Sequence, residues 1–446
     1  MKRIQHYATY LQGGAGGAAV RIFEGLKSEL QVGDKSQKDW EFEFFCRQDQ
    51  ELSVDESRHF IPNDSFFART LPRRLNRKSY KQAAEHYHQH LKNRPADYEA
   101  FSPARLYEPT ALNRTRELGL IHLHWVAFLV DYLSFFKSVP SSVPLVWTLH
   151  DMNAFTGGCH YSAGCEKYKT GCGNCFQLDN PHSTDLSAVA RAQKKKAFAN
   201  RDITIVTPCQ WLTGLARESQ MFSPNSRFET IHYGLDTSRF FPLDKQDAKA
   251  KLGLAPDKTT LLFGAADLSV KRKGWSRLLD ALCSLPSAKE LNCVIFGGGD
   301  IPEDDLAQLK SRMDVHLTGF IDNDEAKRNV YSAGDLFVLP SLEDNQPQTG
   351  LESMACGTPV VAYDTGGISE FVLHGKTGLL ASIDSRESLA KQINWLVQDR
   401  DTQQSFGQNA RDLIVAQFEI QTQSEKYIKL YDSLLTGQNT SLGKAA

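Results

Sequence analysis

The stretch LFVLPSLEDNQPQTGLESMACGTPVVAY, residues 336–363, holds two short apolar runs separated by a loop that leads into a predicted helix. The runs, Leu336–Leu339 and Pro359–Tyr363, are continuous rather than alternating. Continuous runs are typical of parallel strands that helices cover on both faces. This strand–helix–strand order predicts an α/β fold with a doubly wound sheet.

Further apolar runs bounded by turns predict strands in both halves of the chain. They are residues 3–8, 120–125, 145–149 and 203–206 in the first half, and 260–263, 293–296 and 315–317 in the second. The halves join near residue 243 and predict two Rossmann-like domains facing a cleft, 1–243 and 244–420. Residues 421–446 are predicted to form a helix that packs back toward the N-terminal domain, followed by a tail.

The composition is that of an ordinary globular chain. Of 446 residues, 41% are hydrophobic and 23% charged, and the net charge is −2, which excludes a disordered polyanion or a collagen-like fibre. Near-neutrality also argues against a nucleic-acid partner. The apolar stretches are too short or too interrupted to span a bilayer, and residues 1–6 lack the apolar core of a signal peptide. We therefore expect a cytoplasmic protein.

A glycine-rich segment, Gly13–Ala18, follows the first predicted strand. Small residues there would let the backbone approach a phosphate, which the following helix N-terminus would stabilise. The segment has neither the Gly-Lys-Ser/Thr of a P-loop nor a clean Gly-x-Gly-x-x-Gly pattern with its later acidic residue. A simple tight turn is the alternative.

Two carboxylates stand eight positions apart within residues 336–363. Asp344 follows a predicted strand and Glu352 lies at the start of the predicted helix, a location where open α/β sheets bind ligands. A second interpretation stays open, because Thr349 and Glu352 also fit a capping box.

Four of the nine cysteines fall in the segment 159–175. Cys159, Cys165, Cys172 and Cys175 could bind a structural zinc ion, with His160 as a spare ligand. Such a site would brace the loop after His150 rather than catalyse, because four thiolates leave no open coordination position. A redox or disulfide pair, or unliganded thiols, are the alternatives.

Residues 46–110 break the strand–helix pattern and are predicted to be a polar, basic insert. Its basic residues 69–81, and separately Lys194–Lys196, could attract an anionic membrane. Solvated helix faces are the alternative for both. The histidine-rich run 86–90 lacks the Glu of a His-Glu-x-x-His zinc site and is interpreted as surface.

Several of these motifs together resemble the retaining glycosyltransferases of family 4, including capsule- and exopolysaccharide-building members with a cysteine-rich loop. The resemblance rests on residues 340–361, Lys273–Gly274, the glycine segment, and Thr230–Asp236 ahead of Phe240–Pro242. It implies the GT-B architecture and transfer of a hexose from a nucleotide diphosphate sugar to a glycan or lipid-linked acceptor, in polysaccharide biosynthesis. It implies no cofactor for catalysis, and peripheral membrane contact.

The resemblance also implies roles for individual residues. Glu352 would contact the nucleotide ribose, and Asp344, one methylene shorter than the family's glutamate, would lie beside the donor sugar. Lys273 would bind the donor diphosphate, with Arg272 (or Lys271) replacing the family's arginine. The remaining donor-binding positions are Gly14, Ala15, Gly16 and Gly17, and the backbone of Gln348, Thr349 and Gly350.

The resemblance implies a histidine in the cleft, and His150 is the predicted catalytic one. It ends an apolar run, where a histidine can hydrogen-bond a donor hydroxyl. His122 and His124 compete for the role, and a satisfied core histidine is as good an interpretation for either. Asp151 could orient His150 or the acceptor.

Two other functions are weighed against sugar transfer. An NAD(P)-dependent oxidoreductase would use the glycine segment, but neither an acidic ribose ligand nor a catalytic Tyr/Lys pair stands out. A non-catalytic zinc-containing scaffold would depend on the cysteines alone.

Overall fold

The computed structural model describes residues 2–31, 39–47, 58–61, 91–95, 98–102, 104, 118–286 and 288–437. The chain divides into two compact units, Met1–His232 with Gln423–Ala446, and Tyr233–Thr422. The division falls at His232 rather than near residue 243. Among the described residues, none of the helices combines the length and the apolar character that crossing a bilayer requires.

The first unit is built on a seven-stranded parallel sheet with the order β3-β2-β1-β4-β5-β6-β7. The strands are β1 (Lys2–Tyr7), β2 (Trp40–Arg47), β3 (Arg58–Ile61), β4 (Leu118–Leu123), β5 (Leu145–Thr148), β6 (Ile203–Thr207) and β7 (Phe228–Thr230). Its helices are α1 (Gly13–Leu30), α2 (Tyr132–Ser138), α3 (Lys167–Thr170), α4 (Leu186–Phe198) and α5 (Gln210–Glu218).

The second unit is built on a six-stranded parallel sheet with the order β10-β9-β8-β11-β12-β13. The strands are β8 (Thr259–Asp267), β9 (Leu291–Gly298), β10 (Asp314–Gly319), β11 (Leu336–Leu339), β12 (Val360–Tyr363) and β13 (Gly378–Ala381). The helices are α6 (Lys245–Lys251), α7 (Trp275–Cys283), α8 (Glu303–Lys310), α9 (Asp324–Ala333), α10 (Gln348–Ala355), α11 (Arg386–Val397) and α12 (Arg400–Gln417).

Apolar side chains on both faces of each sheet explain why its strands are continuous apolar runs. In β11, Leu336 and Val338 join one buried cluster with helices α7 and α11, while Phe337 packs on the rings of Phe296 and Tyr331. In the first unit, Ile4 and Val146 pack against α1. The predicted α/β fold with two parallel sheets is therefore confirmed.

The last helix, α13 (Ile420–Thr436), packs on the first unit. Its Tyr431 hydroxyl lies 2.5 Å from His122 Nδ1, and its Tyr427 hydroxyl lies 2.7 Å from Thr148 Oγ1. Both tyrosines are fully buried, so the helix contributes side chains to the core of that unit.

Three expectations need correction. The glycine segment is not a turn, because α1 already begins at Gly13. Residues 46–110 are not only an insert, since β2 ends and β3 lies within them. Lys194 does not face a membrane: it is fully buried in α4 and its Nζ donates to Asn153 O at 2.5 Å. The predicted basic residues 69–81 and the histidine run 86–90 lie outside the described residues.

Tyr431→Phe should lower the stability of the chain, because it removes the hydroxyl paired with the buried His122 ring. An unsatisfied buried group costs about 1–3 kcal/mol, measurable as a lower melting temperature. Tyr10→Phe is the matched control, since Tyr10 is 37% exposed, and it should change stability by less than about 0.5 kcal/mol. Equal melting temperatures for both variants would contradict the role of α13.

Candidate functional site

In the second unit, two loops meet where the strand order of the sheet reverses, between β8 and β11. One contains Lys271–Lys273 and the other follows β11. Leu342 N donates to Arg272 O at 2.7 Å, and Gly274 allows this approach, because a Cβ there would lie 1.9 Å from Pro340 O. Ligands of open α/β sheets bind at such a reversal point.

The two loops bring two cations onto one carboxylate. Lys273 Nζ lies 2.7 Å and Arg272 Nη1 2.9 Å from Asp344 Oδ2. Burial alone would raise the pKa of Asp344, but the two cations lower it to about 2. The carboxylate is therefore ionised at neutral pH.

The surroundings of Asp344 fix its position further. Gly367 N donates to Asp344 O at 3.1 Å. Gly366 has φ +60°, and a Cβ on it would lie 1.7 Å from the same oxygen. Ser341 Oγ lies 3.4 Å from the carboxylate. The sequence analysis missed Ser341, Gly366 and Gly367, although the glycine pair directly after a predicted strand was an available signal.

The side chains of Arg272 and Lys273 are largely removed from solvent. They are 17% and 19% exposed, and Arg272 Nη1 also donates to Glu343 O at 3.2 Å. Arg272, which was predicted to replace the family's arginine, therefore contacts Asp344 directly.

Glu352 lies in α10 and is buried. Its Oε2 accepts a hydrogen bond from the Tyr331 hydroxyl at 3.0 Å. The capping-box interpretation is wrong, because Pro347 holds the N-cap position and Thr349 is already the second helical residue. Tyr331 comes from α9 and had no signal in the sequence, since only the tertiary fold brings it to Glu352.

Gln348, Thr349 and Gly350 form the first turn of α10. Gly350 N donates to Pro347 O at 3.1 Å, so this N–H is engaged within the turn. A Cβ on Gly350 would lie 2.9 Å from the Phe371 ring, and its small size therefore serves close packing.

The predicted glycine segment lies in the first unit, and Asp344 and Lys273 lie in the second. Gly14 is exposed in the first turn of α1. Gly16 is buried, and a Cβ on it would lie 2.6 Å from Tyr10 O, whereas Gly17 has open space around its Cβ position. Ala15, between Gly14 and Gly16, is half-buried. Only Gly16 therefore has a packing reason to be glycine.

His150 is buried after β5 and takes part in a series of histidine contacts. His150 Nε2 lies 3.3 Å from His124 Nδ1, and His124 Nε2 lies 3.0 Å from His6 Nδ1. Burial lowers the pKa of His150 to about 4, with Asp151 opposing the shift. The imidazole is therefore neutral at physiological pH.

His122 is a satisfied core histidine. Its ring nitrogens contact the hydroxyls of Tyr431 and Thr148 at 2.5 Å and 2.7 Å. The nitrogens of His6, His122 and His124 lie within 4.8 Å of one another, a spacing that a metal ion could bridge. Since both nitrogens of His122 are engaged, we interpret the trio as a hydrogen-bonded core cluster.

Asp151 is held by three neighbours. Its carboxylate accepts from Trp125 Nε1 at 2.7 Å and Asn153 N at 2.8 Å, and it pairs with His160 Nδ1 at 2.6 Å. His160 Nε2 also lies 2.7 Å from Ser102 Oγ. Both nitrogens of His160 are engaged, so the idea of His160 as a spare metal ligand is wrong.

Comparison with known proteins finds a family that matches most of the second unit. Residues 244–413 match the family "Glycosyl transferases group 1". The matched segment lies wholly within the second unit. Both the Asp344 cluster and Glu352 lie within the matched residues.

Relatives of known name share part of the chain. It is 24% identical over 217 residues to N-acetyl-alpha-D-glucosaminyl L-malate synthase of Bacillus anthracis, covering 48% of this chain and 55% of that protein. It is 31% identical over 184 residues to D-inositol 3-phosphate glycosyltransferase of Rhodococcus jostii, covering 40% of each. The chain spans between 35% and 56% of the length of the first three relatives it matches.

Solved structures match nearly the whole chain. Sucrose-phosphate synthase from Thermosynechococcus elongatus has a TM-score of 0.66 at 19% identity, with 98% of this chain and 100% of that chain covered. Anabaena HepE in complex with UDP and glucose has a TM-score of 0.62 at 18% identity, with 97% and 100% covered. The fold is therefore of the GT-B type. These comparisons favour neither an oxidoreductase nor a scaffold.

Asp344→Asn should destabilise the chain at pH 7 and much less at pH 2. The native pKa of Asp344 is about 2, below an unfolded value of about 3.9. Ionisation therefore contributes stability above about pH 4 that is lost as the pH falls toward 2, roughly 2 kcal/mol in all.

Melting temperatures across this pH range measure the difference. Asp364→Asn is the control, because Asp364 is exposed, and it should show a small difference at every pH. A difference for Asp344→Asn that persists unchanged at pH 2 would contradict the assigned ion pairs.

Proposed function

We propose that the protein is a retaining glycosyltransferase that moves a hexose from a nucleotide diphosphate sugar to a glycan or lipid-linked acceptor in polysaccharide biosynthesis. The observation that carries the proposal is the convergence of Arg272 and Lys273 on Asp344 at the reversal point of the second sheet. A glycosyl transferases group 1 match over the same residues supports it.

The cation pair suits a diphosphate leaving group. Breaking the bond to the anomeric carbon builds negative charge on the departing diphosphate. Asp344 holds Arg272 and Lys273 in place before any ligand binds. Fixed donors at a developing charge are commonly worth about 3–4 kcal/mol each. A nucleotide donor is also supported by the structural likeness to HepE, whose crystal structure holds UDP-glucose.

The two carboxylates would orient the donor through its hydroxyl groups. Asp344, with its pKa of about 2, acts only as a hydrogen-bond acceptor. Its short side chain is held by the cations and would accept from a sugar hydroxyl. Glu352, fixed by Tyr331, would accept from the ribose hydroxyls.

We assign His150 an orienting role through a neutral ring. With a pKa of about 4, the imidazole donates from one nitrogen and accepts at the other above that pH. It would hydrogen-bond a sugar hydroxyl rather than supply a positive charge. Its contact with His124 helps to set which nitrogen carries the proton.

Lys273→Ala should abolish most sugar transfer while leaving the protein folded. Loss of one fixed cation should reduce kcat by roughly 10²–10³-fold, and Glu352→Ala should weaken donor binding as well. The assay is nucleotide release with UDP-, GDP- and ADP-sugars, after a thermal-shift screen that identifies the donor. A donor at about 100 times its Kd stabilises by about 2.7 kcal/mol.

Lys376→Ala is the matched control for Lys273→Ala. Lys376 is exposed in the turn before β13, and its loss should leave transfer unchanged. Full activity of both Lys273→Ala and Glu352→Ala would remove the proposed roles.

The pH profile of kcat/KM tests the state of His150. Since burial holds its pKa near 4, activity should show no ionisation of this residue between pH 5.5 and 8, a range chosen to lie well above that value. His150→Ala should lower the rate without changing the shape of the profile. An ionisation near pH 6.5 that disappears in His150→Ala would contradict the neutral-ring assignment.

A further inference from the structure

Four cysteines of the first unit surround one cavity. Cys159, Cys165, Cys172 and Cys175 all line it, together with Gly157, Lys167 and Gln177. Each cysteine is half-buried and none forms a disulfide. Sequence spacing suggested that these thiols could meet, and the fold places them around a shared space.

The turn between Cys172 and Cys175 is built to present two sulfurs together. Gly173 has φ +134° and Asn174 has φ +47°, and a Cβ on Gly173 would lie 2.5 Å from Ser183 O. Lys167 Nζ donates to both turn carbonyls, Gly173 O at 3.1 Å and Asn174 O at 3.0 Å. A backbone held in this uncommon conformation indicates a geometric requirement at the turn.

Backbone N–H groups point at the sulfurs. The N–H of Gly157 donates to the Cys172 sulfur, and the N–H of Gln177 donates to the Cys175 sulfur. Such N–H donors suit a thiolate, which is the form in which cysteine binds a divalent cation.

Buried cations nearby match the charge of such a site. Four thiolates around a divalent ion leave two net negative charges. Lys194 is fully buried and Arg191 is 8% exposed, and both lie close enough to Cys172 for their charges to act on its sulfur. Two compensating charges are therefore in place beside the sulfurs.

We propose that Cys159, Cys165, Cys172 and Cys175 bind one zinc ion as a four-thiolate structural site. On binding, the ion displaces the four thiol protons, which pass to solvent, and no electrons are transferred. Four protein ligands leave no open position for catalysis. Among the described residues, the trio of ligand atoms within 4.8 Å of one another is His6, His122 and His124. No three of the four sulfurs therefore lie within 4.8 Å of one another, and Zn–S bonds of about 2.3 Å would draw them together.

The site would brace the segment that follows His150. Gly157 touches the Cys172 sulfur, and Lys194, beside the sulfurs, donates to Asn153 O and Thr156 O. Zinc would thus stabilise residues 151–160, including the Asp151–His160 pair. This inference does not depend on the proposed sugar transfer.

The test is the zinc content of the untagged full-length protein after desalting, by inductively coupled plasma mass spectrometry. We expect one zinc per chain, released by a mercurial reagent that titrates the thiols. The double variant Cys172→Ser/Cys175→Ser should lose the zinc and melt at a lower temperature. Cys283→Ser is the control, since Cys283 is half-buried in α7 of the second unit, and it should keep the zinc.

Three results would overturn the proposal: wild-type protein without zinc, a mass lower by the two hydrogens of a disulfide between these cysteines, or a double variant that retains zinc. If the double variant does not fold, the test is instead the visible spectrum of the wild-type protein with cobalt in place of zinc. Thiolate-to-cobalt charge-transfer bands with tetrahedral visible bands support the site, and their absence refutes it. Nucleotide-sugar transfer is assayed separately, so its loss or retention does not enter this outcome.

Discussion

The ion pairs of Asp344 with Arg272 and Lys273 are the interaction on which the candidate site depends. Two cations mostly removed from water would be costly without a partner, and removing one partner of a buried pair typically costs about 3–5 kcal/mol. The carboxylate therefore fixes both cations, and the close approaches at Gly274 and Gly366 fix the loops that carry them. The site is thus organised before a ligand arrives, which is what electrostatic stabilisation of a leaving group requires.

The first unit contains a different kind of polar core. Burial keeps the rings of His6 and His150 neutral, and His124 links them by hydrogen bonds. Buried polar groups with partners specify one arrangement of their neighbours. The hydrogen bond between Asp151 and His160 and the carbonyl contacts of Lys194 connect this polar core to the cysteine loop.

Much of the fold follows from local sequence, because buried parallel strands leave continuous apolar runs such as Leu336–Leu339. Strands β2, β3, β7 and β13 were missed. Three of them, β3, β7 and β13, are edge strands of three or four residues, and in β2 the acidic residues Glu41 and Glu43 interrupt the apolar run. Asp344 and Lys273 could be selected from the sequence, but Tyr331 could not, because only tertiary folding brings it near Glu352. His160 was misjudged for the same reason: sequence proximity to cysteines does not reveal that Asp151 and Ser102 engage both ring nitrogens.

A crystal structure with the nucleotide diphosphate sugar that the thermal-shift screen selects tests the central claim most directly. The account predicts diphosphate oxygens within hydrogen-bonding distance of Lys273 Nζ and the Arg272 guanidinium, with the ribose hydroxyls on Glu352. A nucleotide bound instead at the N-terminus of α1, with Lys273 and Arg272 contacting only Asp344, would contradict it.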